Sequence, residues 1–288
     1  MKKRSVILLT LLLLITAYSY SQCVKGKVID SESKESLSFV NMGIVNTSIG
    51  TITDAKGEFE LYVSQVPADA ELKITMIGYE SKTISISELA SDFCLIELKK
   101  TFVELKEIKV GFNGRIKNVG NIRANNSAGV CGWGGTKFGK GHELGLELDL
   151  GDNLVRLEEL NLKMHKQSFD TCVFRLHIRE IENGLPVTEL LHENIYFELT
   201  SSKGWQNIEL SDYNIVANGK VALTIEWIKV SNIIEDKLVK MNGSKKARPV
   251  VLFKSCNKDG RFFIRKGSEA PWKCQENSSP SFYISVRE

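Results

Sequence analysis

Within the 288-residue sequence, the residues best suited by type and spacing to metal chemistry are His177 and Glu180, in the run His177-Ile178-Arg179-Glu180. A histidine and a glutamate three apart can supply two ligands to zinc, which then activates a bound water once a third ligand completes the site. The next histidine, His192, follows only fifteen positions after His177. The run also falls in a strand-like pattern, Val173 to Arg179, where residues three apart point to opposite faces. His177 and Glu180 therefore read as outward-facing strand residues, and neither a metal nor any other cofactor is expected.

Gly134-Gly135-Thr136-Lys137-Phe138-Gly139-Lys140-Gly141 comes close to a phosphate-binding loop. Such a loop ends in a serine or threonine that holds magnesium and opens a helix. Gly141 replaces the hydroxyl and a strand pattern follows, so a glycine-rich loop is expected instead of a nucleotide site. The four histidines, His142, His165, His177 and His192, are scattered, and no G-x-S-x-G nucleophile motif occurs. No catalytic residues are assigned, although a hydrolase site hidden in the C-terminal half is the main rival reading.

Binding chemistry is easier to place. Trp133 lies in the glycine-rich segment, and Trp272 lies beside Pro271 and near Cys274. An indole exposed in a loop can stack on a sugar or anchor a protein interface, so Trp133 and Trp272 are the candidate ligand contacts. Trp227 and Trp205 are expected to be core and half-buried respectively. The basic residues of the loop from Lys237 to Arg248 read as a solvated hairpin tip.

These residues must be held by β structure. From Val24 to Leu98 short alternating strands are separated by turn residues, at Val24 to Ile29, Phe39 to Val45, Phe59 to Val63, Leu72 to Met76, Thr83 to Ile86 and Cys94 to Leu98. Asp54-Ala55-Lys56-Gly57 supplies turn chemistry with Gly57 at positive φ. Residues 111–130, rich in Asn, Gly and Ser, read as a linker or an irregular entry segment. Strand patterns resume at His142 to Leu150 and recur at Leu157, Val173, Ile195, Trp205, Val221, Val250, Phe262 and Phe282, with a hairpin signal at Glu182-Asn183-Gly184. The expected fold is all-β, a small sandwich over 23–110 followed by a larger jelly-roll-like sandwich over 131–288.

The ordered run Gly26-Lys27-Val28-Ile29-Asp30, Phe39-Val40-Asn41-Met42, Gly50-Thr51-Ile52-Thr53-Asp54-Ala55-Lys56-Gly57-Glu58-Phe59 and Met76-Ile77-Gly78-Tyr79 strongly resembles the carboxypeptidase-regulatory-like domain of Bacteroidetes envelope proteins. The resemblance covers roughly residues 23 to 100. It implies a prealbumin-like sandwich of seven strands without catalysis of its own. Val103 to Val110 looks like the piece with which such a domain hands over to a receptor plug, but too few residues remain for a plug and barrel. In the second half, Gly204-Trp205 through Leu210-Ser211-Asp212-Tyr213 is similar to a stretch of secreted carbohydrate-binding-like sandwiches.

Met1-Lys2-Lys3-Arg4, the apolar run Val6 to Ala17 and the serines that follow form a signal peptide over 1–22, with cleavage expected near Ser21 or Gln22. Cys23 sits close to that cut, but Gln22 before it fits poorly with a lipidated cysteine. Without the leader, 35 basic residues face 35 acidic ones, which removes the main support for a nucleic-acid partner. In an exported protein cysteines can pair, and Cys256 with Cys274 is the expected disulfide. The chain thus reads as a non-catalytic binding or accessory protein, exported to the periplasm, outer membrane or cell surface, with an envelope protein or a glycan as partner. A structural surface protein that self-assembles through strand edges is a third reading.

Overall fold

The computed structural model describes residues 23–64, 66–89, 93–101, 111–123, 129–134, 141–200, 203–240, 246–256, 260–276 and 278–288. Residues 1–22, where a leader is expected, and the segment from Val103 to Val110 lie outside the described residues, as do residues 135–140 of the glycine-rich loop and 241–245 of the basic loop.

The N-terminal domain is built from β1 (Cys23–Asp30), β2 (Asn41–Ile44), β3 (Gly50–Ile52), β4 (Glu58–Tyr62), β5 (Glu71–Thr75), β6 (Lys82–Ser85) and β7 (Cys94–Leu98). One sheet runs β4-β1-β7, with β1 and β7 parallel, and the other runs β3-β2-β5-β6. The seven strands of the expected prealbumin-like sandwich are all present. Period-two alternation sends Val24, Val28, Phe59, Leu61, Ile96 and Leu98 from the first sheet onto Met42, Ile44, Leu72 and Ile74 of the second. At the turn before β4, Asp54 Oδ1 accepts from the amides of Lys56 and Glu58, at 2.8 and 2.9 Å, and Gly57 takes φ 76° as its turn requires.

The C-terminal domain begins with β8 (Ile116–Gly120), β9 (Val130–Gly134), β10 (His142–Asp149), β11 (Val155–Gln167), β12 (Cys172–Glu182), β13 (Leu185–Glu189), β14 (Ile195–Leu199) and β15 (Gly204–Glu209). It continues with β16 (Val216–Ala217), β17 (Lys220–Val230), β18 (Val239–Lys240), β19 (Ala247–Arg248), β20 (Val250–Cys256), β21 (Phe262–Lys266), β22 (Lys273–Gln275), β23 (Ser279–Pro280) and β24 (Phe282–Arg287). A front sheet runs β13-β12-β17-β10-β21-β22, with β14 also on β12. A back sheet runs β23-β20-β11-β24-β8, with β15 and β16 on β11 and β9 on β20. The long strands alternate between the sheets, from β10 in front and β11 behind to β21 in front and β24 behind, as in a jelly-roll-like sandwich. Asn183 and Gly184 both take positive φ between β12 and β13, giving the expected hairpin turn.

Three expectations need correction. Ile116–Gly120 is not linker but a strand, paired along its length with β24, because its backbone completes the exposed edge of the back sheet. Cys256 and Cys274 are free thiols. Cys256 faces Ser279 in the back sheet while Cys274 pairs in register with Phe263 in the front sheet, so the two belong to different ladders. Trp133 is 5% exposed and lies in the sandwich core, its ring 5.8 Å from Phe174 and 5.2 Å from Trp227. Its strand, β9, pairs with β20 and thereby turns the indole inward.

Phe174 is the hub of that core, with Trp133, Phe197, Trp227 and Phe253 all within 6.2 Å between centroids. Truncating such a side chain removes buried apolar surface and leaves a cavity. Phe174→Ala is expected to lower stability by about 3–5 kcal/mol, read from the urea midpoint, and a loss below about 1 kcal/mol would contradict this packing.

Candidate functional site

On β12 the alternation has an unusual outcome. Phe174, Leu176 and Ile178 enter the sandwich core, as period two dictates, but Arg175, His177 and Arg179 on the opposite face are buried as well. The same holds for Glu226 and Thr224 on β17 and for Glu143 on β10. In an ordinary antiparallel sandwich this outer face would meet water. Here the N-terminal domain and the segment after β21 cover it.

Several contacts hold the cover in place. Ile52 of the N-terminal domain packs with Val173 and Ile228, flanked by Phe39 and Tyr196, whose rings meet edge to face at 5.4 Å. Asn194 Nδ2 donates to the Ile77 carbonyl at 3.1 Å, and the Asn46 amide donates to the Glu269 carbonyl at the same distance. Phe39 sits at φ 60°, a conformation that costs a bulky residue about 1–3 kcal/mol. In that conformation its carbonyl accepts from Arg175 Nη1 at 3.0 Å.

Beneath the cover lies an ionic network. Arg175 Nε donates to Glu226 Oε2 at 2.7 Å, while Nη2 lies 2.5 Å from the same oxygen without a hydrogen bond, and Glu226 Oε1 also has no hydrogen-bond partner. His177 stands between two acids, with Nε2 2.9 Å from Glu226 Oε2 and Nδ1 2.5 Å from Glu189 Oε2. Arg179 Nη1 donates to Glu143 Oε2 at 2.7 Å and to Thr224 at 3.0 Å. Arg265 Nε donates to Glu143 Oε1 at 2.9 Å. Glu143 and Glu226 are 0% exposed, Arg175 1% and His177 3%. Arg175 and Arg179 thus balance Glu226 and Glu143 out of water, the condition under which buried charge is tolerated, and Arg265 and Glu189 extend the network to a part-exposed margin.

Burial opposes ionisation of Glu143, but Arg179 and Arg265 outweigh it and hold the carboxyl well below the usual range. Burial likewise opposes ionisation of Glu226 and Glu189. The first is held low by Arg175 and His177, the second by Arg179 and His177. Folded-state values below the ordinary glutamate value of 4.5 mean that the unfolded chain binds more protons in acid. The resulting stability is complete above that value and is lost as pH falls through the depressed values.

Ligand atoms of Glu143, His177 and Glu226 lie within 4.8 Å of one another, a spacing that admits a metal ion. The donor set does not fit one. Glu143 is held by Arg179 and Arg265, and Glu226 by Arg175, so a cation would have to displace guanidiniums and sit beside their charge.

An open cleft of about 400 Å³ adjoins the network between the domains, lined by Lys73, Thr75, Tyr79, His177, Glu189 and Arg265 among others. Its charged side chains are already engaged. Lys73 pairs with Glu269 at 3.3 Å and Arg265 with Glu143.

The candidate residues read from the sequence are dispersed. His177 is not outward in the sense of solvated, because the N-terminal domain covers its face, whereas Glu180 is exposed on the opposite side of β12. Trp272 is half-buried and its ring covers Arg265 and Arg179, with guanidinium carbons 4.6 and 5.6 Å from the centroid. Glu143, Arg175, Glu189, Glu226 and Arg265 do not stand out in their sequence context. Their one signal is charge at alternate positions within otherwise apolar strands, as in Phe174-Arg175-Leu176-His177-Ile178-Arg179, and that pattern equally describes a solvated face.

Residues 24–110 match the family model of the CarboxypepD_reg-like domain, and the N-terminal domain is such a domain. No curated protein matches the chain. Among solved structures it is similar, at 10% identity and a TM-score of 0.34, to the cysteine protease and lectin-like domains of Cwp84, a surface layer associated protein of Clostridium difficile. That similarity covers 52% of this chain and 32% of the other, so the chain spans about a third of that structure.

Two outcomes are expected. Arg175→Ala leaves Glu226 buried without its guanidinium and costs about 3–5 kcal/mol, measured by urea unfolding; a change within 0.5 kcal/mol, about the scale of an ordinary surface substitution, would contradict the network's role. Stability measured by urea midpoint falls as pH drops below about 4.5, and Glu189→Gln makes that fall shallower; an identical pH dependence for both proteins would count against the assignment.

Proposed function

We propose that this chain, a CarboxypepD_reg-like domain fixed on the face of a larger sandwich, is an exported, non-catalytic binding or accessory protein of the bacterial envelope. The observation that carries this reading is the commitment of the charged groups on the covered face. Glu143, Glu189 and Glu226 each accept from or pair with an arginine or His177, and Arg175 reaches across to the Phe39 carbonyl. Of these contacts, the one from Arg175 to Phe39 crosses between the domains. Glu226 Oε1 and Arg175 Nη2 lack hydrogen-bond partners, but both atoms are sealed from solvent, whereas a general base must lie within reach of its substrate. Export is supported by the basic, apolar and small-residue order of residues 1–22. A glycan or another envelope protein is the partner class in keeping with that location.

A second reading, a hydrolase, draws support from His177 and Glu189, which are hydrogen-bonded at 2.5 Å and line the cleft. The two readings separate experimentally. The chain expressed with a C-terminal tag is expected to lose its leader near Ser21 or Gln22 by mass spectrometry, to fractionate with the envelope, and to turn over no peptide, ester or glycoside substrate in a broad panel. Cytoplasmic, uncleaved protein would contradict export. Turnover abolished by His177→Ala in a protein that still folds would replace the binding reading with the hydrolase one.

A further inference from the structure

The outer face of the back sheet differs from its covered counterpart in front. On β11, Leu160, Leu162 and Met164 enter the core while Glu159, Asn161 and Lys163 face outward. Asn161 stands in register with Asn207 on β15 and with Tyr283 on β24, and Lys163 stands opposite Trp205. Trp205 and Tyr283 are both half-buried and meet edge to face, with ring centroids 5.0 Å apart at 70°. Lys163 Nζ lies 4.9 Å from the Trp205 ring centre.

A polar row is fixed beside the rings. Asn161 Nδ2 donates to Glu159 Oε1 at 2.8 Å, and Asn207 Nδ2 donates to Asn161 Oδ1 at 2.5 Å and to Glu159 Oε1 at 3.3 Å. Asn161 is fully buried under this arrangement, which therefore sits on a rigid base. Burial and the neighbouring Glu159 carboxylate both push the Tyr283 phenol up, so it stays protonated and able to donate.

We propose that this face is a binding platform for an uncharged carbohydrate chain, with Trp205 and Tyr283 as stacking rings and Glu159, Asn207 and Lys163 as the groups that read hydroxyls. This rests on the reading of the chain as a binding protein and names its ligand class and site. An indole face takes the C–H face of a sugar ring, and its rigidity keeps the entropy cost of contact low. Glu159 Oε2 and Asn207 Oδ1 accept from sugar hydroxyls, while Lys163 Nζ and the Tyr283 hydroxyl donate. Glu159 and Lys163 offset each other, so the charge balance selects against strongly anionic polymers. Three strands, β15, β11 and β24, make a surface roughly 10 Å across, since neighbours lie about 4.8 Å apart, which accommodates a short oligosaccharide. A protein interface would favour an apolar, desolvated centre; here hydrogen-bonding groups stand directly beside the rings.

The test uses the full mature chain against soluble neutral polysaccharides, an α-glucan, a β-glucan, a mannan and a xylan, by retardation in polysaccharide-containing gels and by calorimetry. Trp205→Ala and Asn207→Ala are measured beside it, with circular dichroism and Tm as folding controls, and Asn207→Ala keeps the test valid if the tryptophan variant does not fold. Saturable binding to at least one polysaccharide, weakened about tenfold or more by either substitution at unchanged Tm, is the expected result. Binding that neither substitution weakens overturns the platform but leaves the binding reading intact. Absence of binding to all four overturns the carbohydrate assignment. Cleavage of a polysaccharide instead overturns the non-catalytic reading on which the proposal rests.

Discussion

The contact of Arg175 with Glu226, in a layer where water does not reach, sets the terms for the rest of this protein. Two charges taken out of water are costly unless their geometry is good and their remaining hydrogen-bonding positions are filled. Here His177 adds a second contact to Glu226 Oε2, and the Phe39 carbonyl and Asn194 accept from Arg175 Nη1, while Glu226 Oε1 and Arg175 Nη2 are left without hydrogen-bond partners. Because Phe39 belongs to the first domain, Arg175 gains that acceptor only when the domain is docked. The second domain thus carries on its front sheet a face that needs the first domain to be satisfied.

That dependence explains the asymmetry of the C-terminal sandwich. Its core, around Phe174, Trp227 and Phe253, is built as any sandwich core is, from inward residues of two sheets. Its front face carries charges sealed under a lid and capped at the margin by Trp272. Its back face carries Trp205 and Tyr283 among polar groups, half-open to solvent. The sealed charges pair within the second domain, and Arg175 carries the contact from them to the first.

Much of the architecture was legible in the sequence because alternation and turn chemistry are local. Asn183-Gly184 between two apolar runs forms its hairpin, Gly57 takes its positive φ, and Ile195–Leu199 is a strand as expected. The short strand Ile116–Gly120 was hidden in an Asn- and Gly-rich segment because it is an edge partner of β24 and has little apolar pattern of its own. The disulfide failed because spacing along the chain says nothing about which ladder each cysteine joins. Trp133 looked exposed because glycines surround it; its neighbours Gly132 and Gly134 lie in a strand paired with β20. The ionic face was invisible for a deeper reason. Alternating charge in a strand gives the same sequence whether the far side is water or another domain, and only the docking of Phe39 and Ile52 decides between them.

Hydrogen exchange of the chain at neutral pH, followed on the amides of residues 41–44 in the first domain and 172–182 in the second, tests the coupling most directly. If the buried charges join the domains, both strands open together, with matching protection close to that of global unfolding. Fast exchange of residues 41–44 while 172–182 remain protected would mean that the first domain unfolds without exposing the ionic face, and the account of that face as the junction would be wrong.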